Sequence, residues 1–213
     1  MPMKNEREYR RINISGLVTR DGESGEMVVE GYATTFNQPY LLYKMDKYSV
    51  YEQIDAHAFD STDMDDVIMQ YDHEGRVFAR NKNGTLQIMP DEHGLKIRAN
   101  LGGTDIGRQL YQEIKGGYTD KMSFGFTVSK DERKETTNEE TGEIRIDRTI
   151  IEIKKLYDVS AVSLPANDAT EISARSFSEG VIADAVKEIH AAEERQRKIN
   201  YIHALMEVSS NDD

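Results

Sequence analysis

Residues 118–127, YTDKMSFGFT, decide how the rest of this chain is read. Met122, Phe124, Phe126 and Val128 alternate with Ser123, Gly125 and Thr127, so a strand here turns its apolar set toward a core and Ser123 toward the opposite face. Gly116 and Gly117 close a helical pattern just before it. Gly125, two positions after the serine on the same face, leaves room for a ligand or another backbone to come close. By itself the segment reads as an amphipathic strand with a solvent-facing serine. Whether that serine is reactive depends on what the rest of the chain supplies.

Composition narrows the chemistry. With 213 residues, 38% of them hydrophobic, the chain can bury one sizeable core, and a mean hydropathy of -0.67 leaves some of it as solvated appendage. The absence of cysteine removes disulfides, thiolate nucleophiles and zinc-thiolate sites, so any nucleophile is oxygen or nitrogen. A net charge of -12, from 27 basic and 39 acidic residues, argues against sequence-independent nucleic-acid binding, which relies on clustered Lys and Arg. No run of about 18 apolar residues occurs and the start, MPMKNEREYRR, is not a secretory signal, so the expectation is a soluble, intracellular chain that does not enter a membrane. Its partners are expected to be proteins.

Working outward, residues 11–18 and 26–36 flank the turn-rich RDGESGE and read as a hairpin. VIMQY, at 67–71, is a compact apolar strand that stops at Asp72-His73-Glu74-Gly75. Leu86 and Ile88, then Leu95, Ile97 and Ala99, alternate around a turn at 91–94 and predict a meander of short antiparallel strands. Thr104 caps a helix whose apolar residues Ile106, Leu110 and Ile114 recur every four positions. Residues 129–147 are charged and poor in apolar side chains, the composition of a flexible exposed loop. The strand-like segments after it end at Pro165. From 176 onward a helical stripe of Val181, Ala185, Ile189, Ile199, Ile202 and Leu205 is interrupted by the polar HAAEERQRKIN.

A serine becomes a nucleophile when a base takes its proton and a third group orients that base. Of the five histidines, His190 and His203 fall among polar residues of the terminal helix and His93 in a turn, while His57 lies between two alanines. His73 differs because it ends an apolar strand, where a rigid element can aim it into a cleft; the plainer alternative is an ordinary structural histidine. For the third member Asp158 stands out. In LYDVSAVSLP it interrupts an apolar strand, and an ionised carboxylate there needs a partner, either a histidine or one of the neighbouring lysines. Glu52, Asp72 and Glu74 are further available carboxylates.

The succession VEGYATTF, YEQIDAHAFD, VIMQYDHEG, DEHGLKIRANL, KMSFGF and LYDVSAVSLPAND, over roughly residues 11–175, resembles the prohead maturation serine proteases of tailed phages, whose fold is similar to that of herpesvirus assemblin. The resemblance implies a mostly β fold with peripheral helices (α+β), a closed or partly closed antiparallel β-barrel. It implies that Ser123 is the nucleophile and His73 the general base, with Asp158 at the position where the family usually has Glu. An oxyanion hole needs backbone N–H donors near the serine, and the turn holding Ala166 and Asn167 is the candidate. The implied layout is an N-terminal tail at 1–10, a protease domain at 11–175, and a helical extension at 176–213 that targets the enzyme into the shell or is removed by self-cleavage. The implied partners are the major capsid protein and a scaffold segment as substrates, the chain itself as a target of auto-cleavage, and a second copy in a homodimer. The implied place of action is the assembling procapsid in the host cytoplasm. No cofactor and no metal is expected, since no H-x-x-x-H or comparable ligand spacing occurs. A rival of another class is a non-catalytic capsid scaffold or assembly chaperone with an acidic helical tail.

Overall fold

The computed structural model describes residues 7–12, 17–21 and 26–163. Alternating sequence becomes strand along most of them: β1 (Glu8–Ile12), β2 (Val18–Asp21), β3 (Met27–Thr35), β4 (Tyr40–Met45), β5 (Tyr48–Ile54), β6 (Ile68–Tyr71), β7 (Glu74–Arg80), β8 (Leu86–Pro90), β9 (Gly94–Asn100), β10 (Lys121–Thr137) and β11 (Ile144–Val162). The helix α1 (Asp105–Lys115) starts where the Thr104 side chain accepts a hydrogen bond from the Gly107 amide at 3.1 Å, satisfying an amide that has no carbonyl partner in the first turn. It buries Leu110, Tyr111 and Ile114.

Two sheets form. One runs β1-β10-β11-β5-β4, with β6 and β7 added alongside β11; the other runs β2-β3-β9-β8. Met122, Phe124 and Phe126 point between the sheets as the alternation requires, and join Ile97, Leu95, Met69, Ile153 and Leu156 in one buried cluster. Each such side chain contributes about 1.5–3 kcal/mol by leaving water. Phe124 and Phe126 stack with centroids 4.5 Å apart.

Of the expected closed or partly closed antiparallel barrel, the closed form is not found among the described residues. One edge of β11 pairs with β10 along its length, but the other is split between β5, beside residues 144–150, and β6, beside residues 158–161, and both of these run parallel to it. The hydrogen-bonded ladder therefore does not pass round to close on itself, and the sheets keep open edges.

The segment at 129–147 is also not a loop. It is ladder in β10 and β11 on both sides of a turn at 138–143, where the Asn138 amide bonds the Glu143 carbonyl at 2.8 Å. Its charges persist in strands because most of them face water, while Asp131 is met by Arg148 at 2.5 Å and β5 covers the free edge of β11 with Val50 packed against Ile146. The N-terminal tail expected through residue 10 likewise ends early, because Glu8–Ile12 is a strand paired antiparallel with β10. No helix among the described residues is long and apolar enough to cross a membrane. The helical extension expected at 176–213 lies outside the described residues.

Candidate active site

β11 is the axis of the site. On one side β10 runs antiparallel to it, with Ser123 opposite Ser160 and Gly125 opposite Asp158. On the other side β6 runs parallel, with Asp158 beside Ile68 and Ala161 beside Tyr71. Positions two apart share a face of a strand, so Ser123, Asp158 and Ser160 all emerge on the face turned away from the apolar core. β6 then reverses into β7 through Asp72 and His73, whose φ angles are 48° and 62°. Both turn residues are left-handed, the conformation of a tight type I′ hairpin, which glycine and asparagine adopt more readily than histidine. The turn is tied down by the Asp72 amide donating to the Ala161 carbonyl at 2.9 Å and by Ser163 donating to the Asp72 carboxylate from its hydroxyl at 2.9 Å.

Held this way, the imidazole of His73 reaches back over β11. Its Nδ1 lies 2.5 Å from Asp158 Oδ1 and its Nε2 lies 2.5 Å from Ser123 Oγ. Ser160 donates to Asp158 Oδ1 at 2.8 Å, and Arg7 pairs with Asp158 Oδ2. Burial by itself would raise the Asp158 carboxyl, but the bond and charge of His73, the Ser160 hydroxyl and Arg7 outweigh it and hold the group below the ordinary carboxylate value. Asp158 therefore stays ionised beside an imidazole whose other nitrogen faces a hydroxyl.

The three residues singled out from the sequence thus converge, with one difference. Ser123 is not solvent-facing: it is fully buried, as is Asp158. The reason is β1, whose residues Arg11, Arg10 and Tyr9 stand opposite Ser123, Phe124 and Gly125. The Tyr9 ring packs edge-on against His73 with centroids 4.5 Å apart, and the Arg10 carbonyl oxygen lies 2.8 Å from Ser123 Oγ. Gly125 is needed for the same closeness, since a Cβ there would overlap Asp158 Oδ2 and crowd Arg7 and Tyr9.

Of the other carboxylates, two are engaged elsewhere and Glu74 is exposed at the start of β7. Glu52 is fully buried and binds Arg10, Arg148 and Tyr40, and Asp72 anchors the turn. His57 pairs with Asp60 at the surface at 3.0 Å, and His93 packs on Tyr32. Ala166 and Asn167, the expected oxyanion donors, lie outside the described residues. Sequence reasoning missed Ser160, Arg7, Tyr9 and Arg10 as neighbours of the site. The signal was present in REYRR, where Arg7, Tyr9 and Arg11 alternate with Glu8 and Arg10 as a strand requires.

A hydroxyl, an imidazole and a buried ionised carboxylate in this order are the groups needed to activate a serine for acyl transfer. A search of curated proteins finds no match. Among solved structures the chain is similar to the bacteriophage T4 capsid assembly protease, gp21, with 13% identity over 76% of this chain and 100% of that one and a TM-score of 0.39, a likeness too loose to carry an argument. The family described as caudovirus prohead serine protease matches residues 15–182, from before β2 to beyond β11. On that span the chain belongs to the caudovirus prohead serine proteases.

Proposed function

We propose that the chain is an endopeptidase of procapsid maturation in which Ser123 is the nucleophile, His73 the general base and Asp158 the group that orients and charges-balances the imidazole. The observation that carries this reading is the unbroken pair of 2.5 Å contacts from Ser123 Oγ to His73 Nε2 and from His73 Nδ1 to Asp158 Oδ1. With Nδ1–H donated to Asp158, the Nε2 lone pair faces the serine proton. Ser123 Oγ adds to the peptide carbonyl carbon as Nε2 takes that proton. The tetrahedral intermediate then expels the amine, which receives the proton from Nε2 as the C–N bond breaks. Water repeats the sequence on the acyl ester, releasing the new carboxyl terminus and returning the proton to Ser123.

The substrates in this reading are the major capsid protein and a scaffold segment, with self-cleavage in addition, and the place of action is the interior of the assembling procapsid. The segment at 176–213 serves as a targeting or removable extension, and Ala166 and Asn167 supply oxyanion donors. The direct test is co-expression with the major capsid protein, reading capsid and enzyme masses. Wild type should truncate the capsid protein, while Ser123→Ala and His73→Ala, both folded, should leave it whole. Truncation by folded Ser123→Ala would remove the nucleophile assignment.

A further inference from the structure

The hairpin that aims His73 has a second face. Gln70 stands beside Ser160 on the triad's side of the sheet, so its neighbour Tyr71 projects from the other side, where it packs against the core. There, between the hairpin and α1, lies a cavity of about 600 Å³. Its walls are apolar: Tyr71 and Phe78 come from the hairpin, Ile106 and Leu110 from the helix. Its rim is charged, with the carboxylates of Asp72, Glu74 and Glu113 set against the single guanidinium of Arg76. Asp72 is bound to Ser163, whereas neither Glu74 nor Glu113 is paired with a cation among the described residues. A long side chain with an apolar stem and a cationic tip matches both parts, the stem against the walls and the tip among the carboxylates.

The backbone beside the cavity is open as well. β7 bonds to β6 and to no other strand, so the main-chain groups along its outer edge have no ladder partner among the described residues. Glu74, Gly75, Arg76 and Val77 are all exposed there. An edge of this kind takes up an extended segment through main-chain hydrogen bonds, and alternate side chains of the added strand go to opposite faces. Those on the helix side enter the cavity. The edge begins at His73, which hands its proton to the departing amine, so the part of a substrate beyond the scissile bond leaves past the imidazole. In the sheet order β10, β11, β6, β7, a strand added to β7 lies about 19 Å from β10, a span of about six extended residues.

We propose, building on the triad reading above, that the β7 edge and this cavity form a second docking site for the substrate protein, whose occupant is an extended basic segment about six residues or more beyond the scissile bond. The segment adds to β7 as a strand and seats a Lys or Arg side chain between Phe78 and Ile106, with its charge at Glu74 and Glu113. The site holds substrate and takes no part in the chemistry, so it acts on KM and leaves kcat alone.

The test has two readouts on the full-length chain. The first is backbone hydrogen exchange with the hexapeptide acetyl-VKVKVK-amide. Exchange across residues 74–78 should slow at least about fivefold, acetyl-VEVEVE-amide should leave it unchanged, and the double variant Gln109→Lys/Glu113→Lys, which alters only exposed positions of α1, should lose the slowing. The second readout is cleavage of the major capsid protein. KM should rise about tenfold in Gln109→Lys/Glu113→Lys and fall in Arg76→Glu, with kcat unchanged in both, and opposite shifts of this kind do not come from simple damage to the fold. No slowing, equal slowing by the two peptides, a KM that ignores both variants, or a change in kcat in place of KM would overturn the proposal while leaving the triad intact. Slowing by the lysine peptide in a folded wild type that leaves the capsid protein whole would overturn the proteolytic reading, and the docking role with it.

Discussion

Gly125 and Asp158 face each other across the β10–β11 ladder, and the carboxylate of one fills the space that a side chain on the other would need. The expected consequence is that Gly125→Ala displaces Asp158 from His73 and crowds Arg7 and Tyr9 beside it, while the ladders keep their place. A shift of about 1 Å in an orienting group costs on the order of a hundredfold in rate. Cleavage of capsid protein should fall by that order while the far-ultraviolet circular dichroism stays native. Unchanged turnover in Gly125→Ala would mean that Asp158 can relocate without harm and does not orient His73.

Asp158→Asn keeps the shape of the site and removes its charge. The amide can present its NH2 to Nδ1, which favours the tautomer with the proton on Nε2, where it blocks transfer from Ser123. The loss in kcat should be about 10⁴-fold, as for other triads that lose this charge. Ser160→Ala removes one hydroxyl bond to the same carboxylate and should cost about 10- to 100-fold, the range for a hydrogen bond to an ionised group. A pre-steady-state burst that is unaltered in Asp158→Asn would argue that another group orients the imidazole.

The parts of this site that were legible in the sequence are those written as local alternation. KMSFGF announces a strand with one apolar and one polar face, so the face of Ser123 was readable before any register was known, whereas Asp158 was legible only as a charge interrupting an apolar strand, and the register shift between Gly125 and Phe126 is what parts it from Leu156. His73 was legible as the end of an apolar strand. Register itself was not: nothing local says that β6 runs parallel to β11, which is what brings His73 over Asp158. The burial of Ser123 was hidden for a similar reason, since it comes from a strand more than 100 residues away in sequence. The 129–147 segment misled because its charges have the composition of a loop, yet they stand on a ladder in which Asp131 is met by Arg148 of the neighbouring strand, a pairing that no local pattern shows. Whether the barrel closes also depends on long-range pairing, and β11 divides its second edge between two parallel neighbours, which no local pattern announces.

Glu52 makes acid stability a test of that buried ionic cluster. Burial favours its neutral form, but Arg10 and Arg148 override this and hold its pKa down to about 2, against 4.5 for a free side chain. The depressed value means that the folded state binds the proton less readily than the unfolded state. Stability from this group is therefore complete above about pH 4.5 and is lost as pH falls toward about 2, with a total of about 3 kcal/mol at stake. Glu52→Gln should be less stable than wild type at pH 7, and the gap should close on acidification through that window. Urea midpoints measured from pH 7 to pH 2 check it; a gap that stays constant would mean that Glu52 is not the titrating group.

The last prediction concerns the turn that aims His73. Asp72 has φ 48°, and a residue with a Cβ and no local hydrogen bond pays about 1 kcal/mol or more to stay left-handed. Asp72 offsets this by accepting from the Ser163 amide at 3.2 Å and the Ser163 hydroxyl at 2.9 Å, which fastens the turn to the end of β11. Asp72→Gly removes the conformational cost but also the fastening, so stability should change by less than about 1 kcal/mol while the imidazole gains freedom. Asp72→Ala loses the bonds and keeps the strain, and should be destabilised by about 1–2 kcal/mol. Asp72→Asn tolerates the left-handed backbone and can still accept from Ser163, so it should stay closest to wild type in both melting temperature and turnover. The informative measurement is the ratio of the two effects. If glycine melts like wild type but cleaves at least about tenfold more slowly, the turn's role is to hold His73 at 2.5 Å from both Ser123 and Asp158. Glycine and asparagine variants with equal turnover would show instead that the β6 and β7 ladder alone fixes the imidazole.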